Sequence, residues 1–256
     1  MHSQACAKRL SILSLGLFQS KVRNRILDIR AFVFDIDGTI CDYDGLLSLE
    51  AAHTIRWLRT LGYEVFLASG RGPWDTYYLG VFLGCTKLAV CENGGILMTS
   101  PDDIKIYSDK TPCLIAYDVL SSNFPDVRVK PVSARLTEVV LLRTFDPLEG
   151  QRLLDKRNIP VTLNDSKFAF HLTKKGIDKS VALIQALKTI GLDASQVAVV
   201  GDSDTDIPMF EVCGYSAAVA NSSSRAKSKA NYVCNAEIGD GAVEAVSHIV
   251  RNVIHR

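Results

Sequence analysis

Residues 31–39 read AFVFDIDGT: four apolar side chains run into Asp35, Ile36 and Asp37, then stop at Gly38 and Thr39. A short apolar run ending in carboxylates and glycine is the pattern of a buried strand that opens onto a polar edge. Outward from it, residues 48–62 show helical spacing behind Ser48, a suitable cap, so the segment begins as β-α. The strand pattern returns at YEVFLA (63–68), ending at Ser69-Gly70-Arg71, and at KLAVC (87–91), ending at Glu92-Asn93-Gly94-Gly95. Residues 179–190 are again helical in pattern, QVAVV (196–200) runs into Gly201-Asp202, and residues 216–219 lead to Ala220-Asn221. Apolar strands alternating with helices predict an α/β fold whose parallel sheet is covered on both faces.

The alternation is interrupted. Between about 101 and 171 the patterns are mixed and proline-bearing, with strand-like stretches at 127–132, 138–143 and 169–172 and a helix at 147–157. The expected organisation is a core of residues 28–100 and 172–256 with a compact α/β insertion, residues 101–171. Residues 1–27 read as a dispensable extension. Its apolar run, Leu10 to Phe18, follows Lys8 and Arg9 like the start of a signal peptide, but has no small-residue cleavage site and is too short for a membrane span.

With 256 residues and 47% hydrophobic content the chain can bury a large core. Lys+Arg of 29 against Asp+Glu of 28 leaves no global field to draw it to nucleic acid or to an anionic membrane. Seven cysteines without a CxxC pair argue against a disulfide framework or zinc ribbon and for a reducing, cytoplasmic setting. Homo-oligomerisation is left open by the sequence.

Four segments place chemistry at the carboxyl ends of predicted parallel strands, the edge where open α/β sheets bind ligands. Asp35 and Asp37 can lean into one pocket where their strand runs out, one to attack and the other to move protons. Ser69 stands beside Gly70, which lets backbone approach a phosphoryl oxygen. Lys179, with Lys175 nearby, opens a helix; its ammonium would offset repulsion between a carboxylate nucleophile and a phosphate dianion. Asp202 and Asp206 in GDSDTD are hard-oxygen ligands suited to Mg²⁺.

DIDGT, ASGR, KKGIDK and GDSDTDIPMF, in that order, resemble the haloacid dehalogenase superfamily over roughly residues 30–250. The insertion, the ENGG turn, Asn221 and Asp240-Gly241 look like its phosphatases with an α/β cap, most of all the archaeal phosphoglycolate phosphatases. The resemblance implies a Rossmann-like core and a lid. It implies that Asp35 attacks phosphorus and that Asp37 protonates the leaving alkoxide and then activates water. Ser69, Gly70, Asn93 and Lys179 would hold the phosphoryl group. Mg²⁺ would be bound by Asp35, the main-chain carbonyl of Asp37 and Asp202, with Asp206 direct or one shell out. The expected substrate is a small phosphorylated metabolite, 2-phosphoglycolate first, with a sugar-phosphate phosphatase or phosphomutase as the alternative and a non-catalytic phosphate-binding regulator as a remote one. Two departures stand out. Thr205 replaces the usual asparagine, which is expected to loosen the contacts holding Asp206. Arg71 stands where the archaeal enzymes often carry asparagine and sugar-phosphate phosphatases arginine.

The four motifs address parts common to every substrate, so specificity must lie in the lid. A carboxylate-bearing substrate calls for a guanidinium, which binds it bidentately. Of Arg128, Arg135 and Arg143, Arg135 is favoured because it lies in the turn-like PVSAR segment between predicted strands.

Overall fold

A computed structural model describes residues 27–254. The expected extension therefore lies outside the described residues, except for Leu27, which belongs to the body: its N–H donates to the Val253 carbonyl at 2.8 Å and its side chain packs on the core.

The chain starts with a fully buried strand, β1 (Ala31–Phe34), followed by α1 (Leu49–Thr60), whose first turn is capped by Ser48 accepting the Ala51 N–H at 3.2 Å. Next come β2 (Glu64–Ala68), α2 (Pro73–Leu83) and β3 (Ala89–Cys91), then a left-handed turn and the antiparallel pair β4 (Ile96–Ser100) and β5 (Asp103–Ile106). The insertion contains α3 (Thr111–Asn123), β6 (Val139–Leu141), α4 (Pro147–Lys156), β7 (Val161–Asp165) and β8 (Phe170–Lys174). The core resumes with α5 (Lys179–Ile190), β9 (Val197–Gly201), α6 (Ile207–Val212), β10 (Tyr215–Ala218), α7 (Ser224–Lys229), β11 (Tyr232–Val233) and α8 (Ile238–Asn252). No helix among the described residues is long and apolar enough to cross a membrane.

The large sheet has the order β11-β10-β9-β1-β2-β3-β4-β5, parallel from β11 to β3. Phe32, Phe34, Ile55 and Val246 pack one face under α1 and α8, while Val33, Phe66, Leu183 and Phe210 pack the other under α5 and α6. This is the expected α/β architecture. Because β1 is flanked by β2 from early in the chain and β9 from late in it, its carboxyl end is where the winding reverses and a crevice opens.

The insertion has its own antiparallel sheet, β6-β8-β7, and its own core, in which Leu120 of α3 and Leu154 of α4 meet Leu141, Phe170 and Leu172. Its limits differ from the expected 101 and 171. β5 pairs with β4 in the large sheet, because Pro101-Asp102 forms a hairpin turn there, not a domain boundary. At the other end β8 continues to Lys174 in the small sheet. The strand expected at 127–132 is reduced to a bridge between Val129 and Leu141, because Pro131 has no N–H to extend the ladder. The sequence reading had no element at 111–123, where α3 carries Pro112 in its first turn and Cys113, Ala116 and Leu120 on its buried face.

Where β3 ends, Glu92 (φ 47°), Asn93 (φ 51°) and Gly94 (φ 92°) are successively left-handed. The third must be glycine twice over: its φ disfavours a side chain, and an added Cβ would fall 1.8 Å from the Asp178 carbonyl, just before α5. Gly94→Ala is expected to cost about 2–3 kcal/mol, roughly 5–10 °C in melting temperature for a chain of this size. Thermal unfolding followed by circular dichroism measures this, and an unchanged Tm would mean that the turn relaxes freely.

Candidate active site

Asp35 is the first residue beyond β1, and its N–H is fixed on the Val200 carbonyl of β9 at 2.9 Å. Three residues on, Gly38 (φ 82°) lets the chain pass Asp202 so closely that a Cβ would lie 2.6 Å from its Oδ2. The first residue of α5, Lys179, is only 2% exposed and reaches up between strands. Its Nζ donates to Asp35 Oδ1 and Asp206 Oδ1, each at 2.7 Å. Asp206 Oδ2 accepts the N–H groups of Asp202 and Ser203, both at 2.9 Å, and the Ser203 hydroxyl at 3.2 Å. Both oxygens of Asp206 are thus held by protein donors. The loosening expected from Thr205 is not seen: its hydroxyl meets that of Ser203 at 2.8 Å and supports the same cluster.

Asp35, Asp202 and Asp206 bring one oxygen each within 4.8 Å of one another. Burial, opposed by Lys179 and reinforced by the negative charges of Asp206 and Asp202, pushes the Asp35 carboxyl well above its ordinary value. Burial and then Asp206 push Asp202 up to about 7, against the pull of Lys167 and Lys179. Burial works against the charge of Lys179 too, but the carboxylates of Asp206 and Asp35 outweigh it and hold the ammonium above its usual range. A site with this excess of crowded carboxylate wants another cation. Asp202 Oδ1, buried without a hydrogen-bond partner, is the oxygen it would find first. The donor set, all oxygen and carboxylate-rich, fits a hard divalent ion.

The other expected residues surround the same pocket: Asp35, Asp37, Ser69, Gly70, Asn93, Arg135 and Lys179 all line it. The Asp37 side chain stands apart from the acidic triad and is held by Arg71, whose Nε lies 2.9 Å from Oδ2 and Nη2 2.5 Å from Oδ1. Hydrogen bonding to Asp37 in turn holds the Arg71 guanidinium above its usual range. The Ser69 hydroxyl accepts the Arg71 N–H at 3.1 Å. Lys175 is remote, on an exposed ion pair with Asp155.

The insertion closes the pocket from above with Arg135, with His171, which the sequence left open between a substrate contact and a packed strand-end histidine, and with Ser166, which the sequence reading passed over. In β8, Phe170 and Leu172 point into the insertion's own core, so the alternation turns His171 toward the site. Its Nδ1 meets Glu138 Oε2 at 3.0 Å and its Nε2 meets the Ser166 hydroxyl at 3.2 Å. Glu138, with no exposed surface, also accepts Asn93 Nδ2 at 3.1 Å and Arg135 Nε at 3.1 Å. Burial alone would raise its carboxyl, but His171, Arg135 and Asn93 outweigh burial and hold it below the ordinary value. Arg135 also donates through Nη1 to Ser133, leaving Nη2 without a partner among the described residues. From the core side, Glu92 accepts the Leu136 and Thr137 N–H groups at 2.8 and 2.7 Å. A charge at the head of the apolar run EVVLL (138–142) was the signal for Glu138; nothing local marks Ser166.

Known proteins resemble this chain over most of its length. The phosphoglycolate phosphatase of Nitrosopumilus maritimus is 37% identical over 86% of this chain and 96% of its own length. That of Methanothrix thermoacetophila is 36% identical over 86% and 97%. A crystal structure of a Thermoplasma acidophilum protein superposes with a TM-score of 0.77 at 25% identity, covering 87% of this chain and 98% of that one. The model of the haloacid dehalogenase-like hydrolases matches residues 32–119 and 146–246. The stretch it leaves out holds Arg135 and its partner Glu138, whereas every core motif, and Ser166 and His171 of the insertion, fall within the match. On the buried Asp35–Lys179–Asp206 cluster, the winding of the sheet around it and this match, the chain belongs to the haloacid dehalogenase-like hydrolases.

Proposed function

We propose that the phosphoric monoester cleaved by this hydrolase is 2-phosphoglycolate, released as glycolate and phosphate through an aspartyl-phosphate on Asp35. The observation that carries the mechanism is the buried contact of Lys179 with Asp35 and Asp206, at 2.7 Å each. It fixes one oxygen of Asp35 and leaves Oδ2 free to attack phosphorus. Asp37 gives a proton to the departing alkoxide, and as a carboxylate it takes one from the water that attacks the acyl-phosphate. Arg71 keeps Asp37 aimed from the side. Ser69, the Gly70 backbone and Asn93 surround the phosphoryl oxygens. Asp35, Asp202 and the Asp37 carbonyl would hold Mg²⁺, with Asp206 one shell out because its oxygens are already taken. The ion would neutralise charge on the transferred phosphoryl group.

For the substrate, the supporting observation is Arg135: buried, oriented by Glu138, lining the pocket and keeping Nη2 available for a carboxylate. The phosphoglycolate phosphatases that cover nearly their whole length with this chain support the same choice. A sugar-phosphate phosphatase is the second reading, favoured by Ser166 and His171 at the same pocket, which suit sugar hydroxyls.

Asp35→Asn is expected to fold and to lose all but a few per cent of p-nitrophenyl phosphate turnover, since an amide cannot attack phosphorus; higher residual activity would assign another nucleophile. EDTA should abolish phosphate release and excess Mg²⁺ restore it, measured with a phosphate assay; insensitivity to EDTA would remove the cation from the mechanism. Arg135→Ala should lose about 1.5–3 kcal/mol, tenfold or more in kcat/KM, on 2-phosphoglycolate while barely changing p-nitrophenyl phosphate turnover. Equal losses on both, or a hexose phosphate preferred by the parent enzyme, would reject the carboxylate-reading role.

A further inference from the structure

The turn between β7 and β8 carries Lys167, whose ammonium leaves the insertion and reaches the core. Its Nζ lies 2.9 Å from the Asn221 carbonyl and 3.4 Å from Asp202 Oδ2. The side chain is 35% exposed, yet both partners belong to the opposite domain, and one is the carboxylate whose other oxygen has no partner.

The turn is built to aim it. Lys167 has a φ of 65°, uncommon for a residue with a Cβ. Its N–H donates to Asp165 Oδ1 at 2.8 Å and its carbonyl accepts Arg143 Nη1 at 3.1 Å, while Arg143 Nη2 holds Asp165 Oδ2 at 2.8 Å. The Ser166 N–H closes the turn on the Ala169 carbonyl at 3.1 Å. Arg143, one of the candidate carboxylate readers in the sequence, is employed here instead. A lysine on a mobile tip would show none of these constraints.

We infer that Lys167 is a positioning residue of the cation site: from the lid, it holds Oδ2 of Asp202 and so fixes the orientation in which the buried, unpartnered Oδ1 is offered to a cation. The inference rests on the proposed reading of those carboxylates as cation ligands. Rotation of an aspartate about its last torsion is soft, so an unheld carboxylate samples orientations that a bound ion must select against. Partners that hydrogen-bond the outer oxygen of a ligand remove that freedom. Here the partner sits on a different domain from the ligand. Lifting the lid releases Asp202, and seating it restores the ligand, so lid position and cation affinity are linked reciprocally. The strap extends through Asn221, whose Nδ2 donates to the Gly38 carbonyl at 2.8 Å, to the loop that carries Asp37.

The test is calorimetric titration of the full chain with Mg²⁺ and no substrate, comparing the parent protein with Lys167→Met and Lys167→Arg. The methionine variant keeps the stem without the charge, and its Kd is expected to rise about tenfold or more, in the range found when outer partners of metal ligands are removed. The arginine variant, which can still donate to Oδ2, is expected to recover most of that loss, a rescue that a general disturbance of the turn would not show. Methionine binding as tight as the parent, or tighter because an ammonium only opposes the ion's charge, would overturn the inference while leaving the cation site intact. No Mg²⁺ binding by the parent would overturn both.

Discussion

Lys179 stands out of water between two carboxylates, and the rest of the structure is arranged to make that tolerable. Moving three charges into a protein interior is costly, and their attraction offsets this only when the geometry is close and the remaining lone pairs are satisfied. Here one oxygen of Asp206 is filled by Lys179 and the other by two amides and a hydroxyl, while Asp35 is shared with the pocket. Removing Lys179 would leave two buried carboxylates uncompensated, so the cluster ties three segments of the chain together. The tie explains the local severity around it: the left-handed turn at 92–94 and the tight passage of Gly38 are what bring α5 and the first loop into range.

The residual imbalance is the functional part. Three crowded carboxylates face Lys179 and, from the lid, Lys167. Burial first, and that crowding after it, raise the carboxyls of Asp35 and Asp202 and make charge harder to hold. A hard cation would relieve the crowding, and a phosphoryl group would then restore the negative charge that the cation overbalances. Substrate and ion therefore suit the site together better than either does alone.

The junction of core and insertion is polar where most interiors are apolar. Glu92, Asp75 and Asn93 of the core meet Thr137, Ser133 and Glu138 of the insertion through hydrogen bonds. Such contacts fix register without the large apolar burial that would weld two domains together, and relative motion is the ordinary expectation for an interface of this kind. The insertion's hold on the core is made of bonds that water can replace.

AFVFDIDGT and the segments that follow it were enough to read the parallel strands at the centre of the sheet, the order of the motifs and the carboxylates beyond the first strand, because strand burial and edge polarity are written in local periodicity. The same periodicity could not distinguish a proline-bearing hairpin from a domain boundary at 101–102, nor decide that Pro131 would cut a strand short. The pairing of Asp37 with Arg71 and of Asp202 with Lys167 was decided only by the tertiary structure. Arg71 grips Asp37 across 34 positions and Lys167 reaches Asp202 across 35. A side chain's partner at that separation depends on how two sheets and a lid are stacked. No local spacing encodes it, and so the candidate residues could be picked out from four motifs in order while the arrangement that aims them could not.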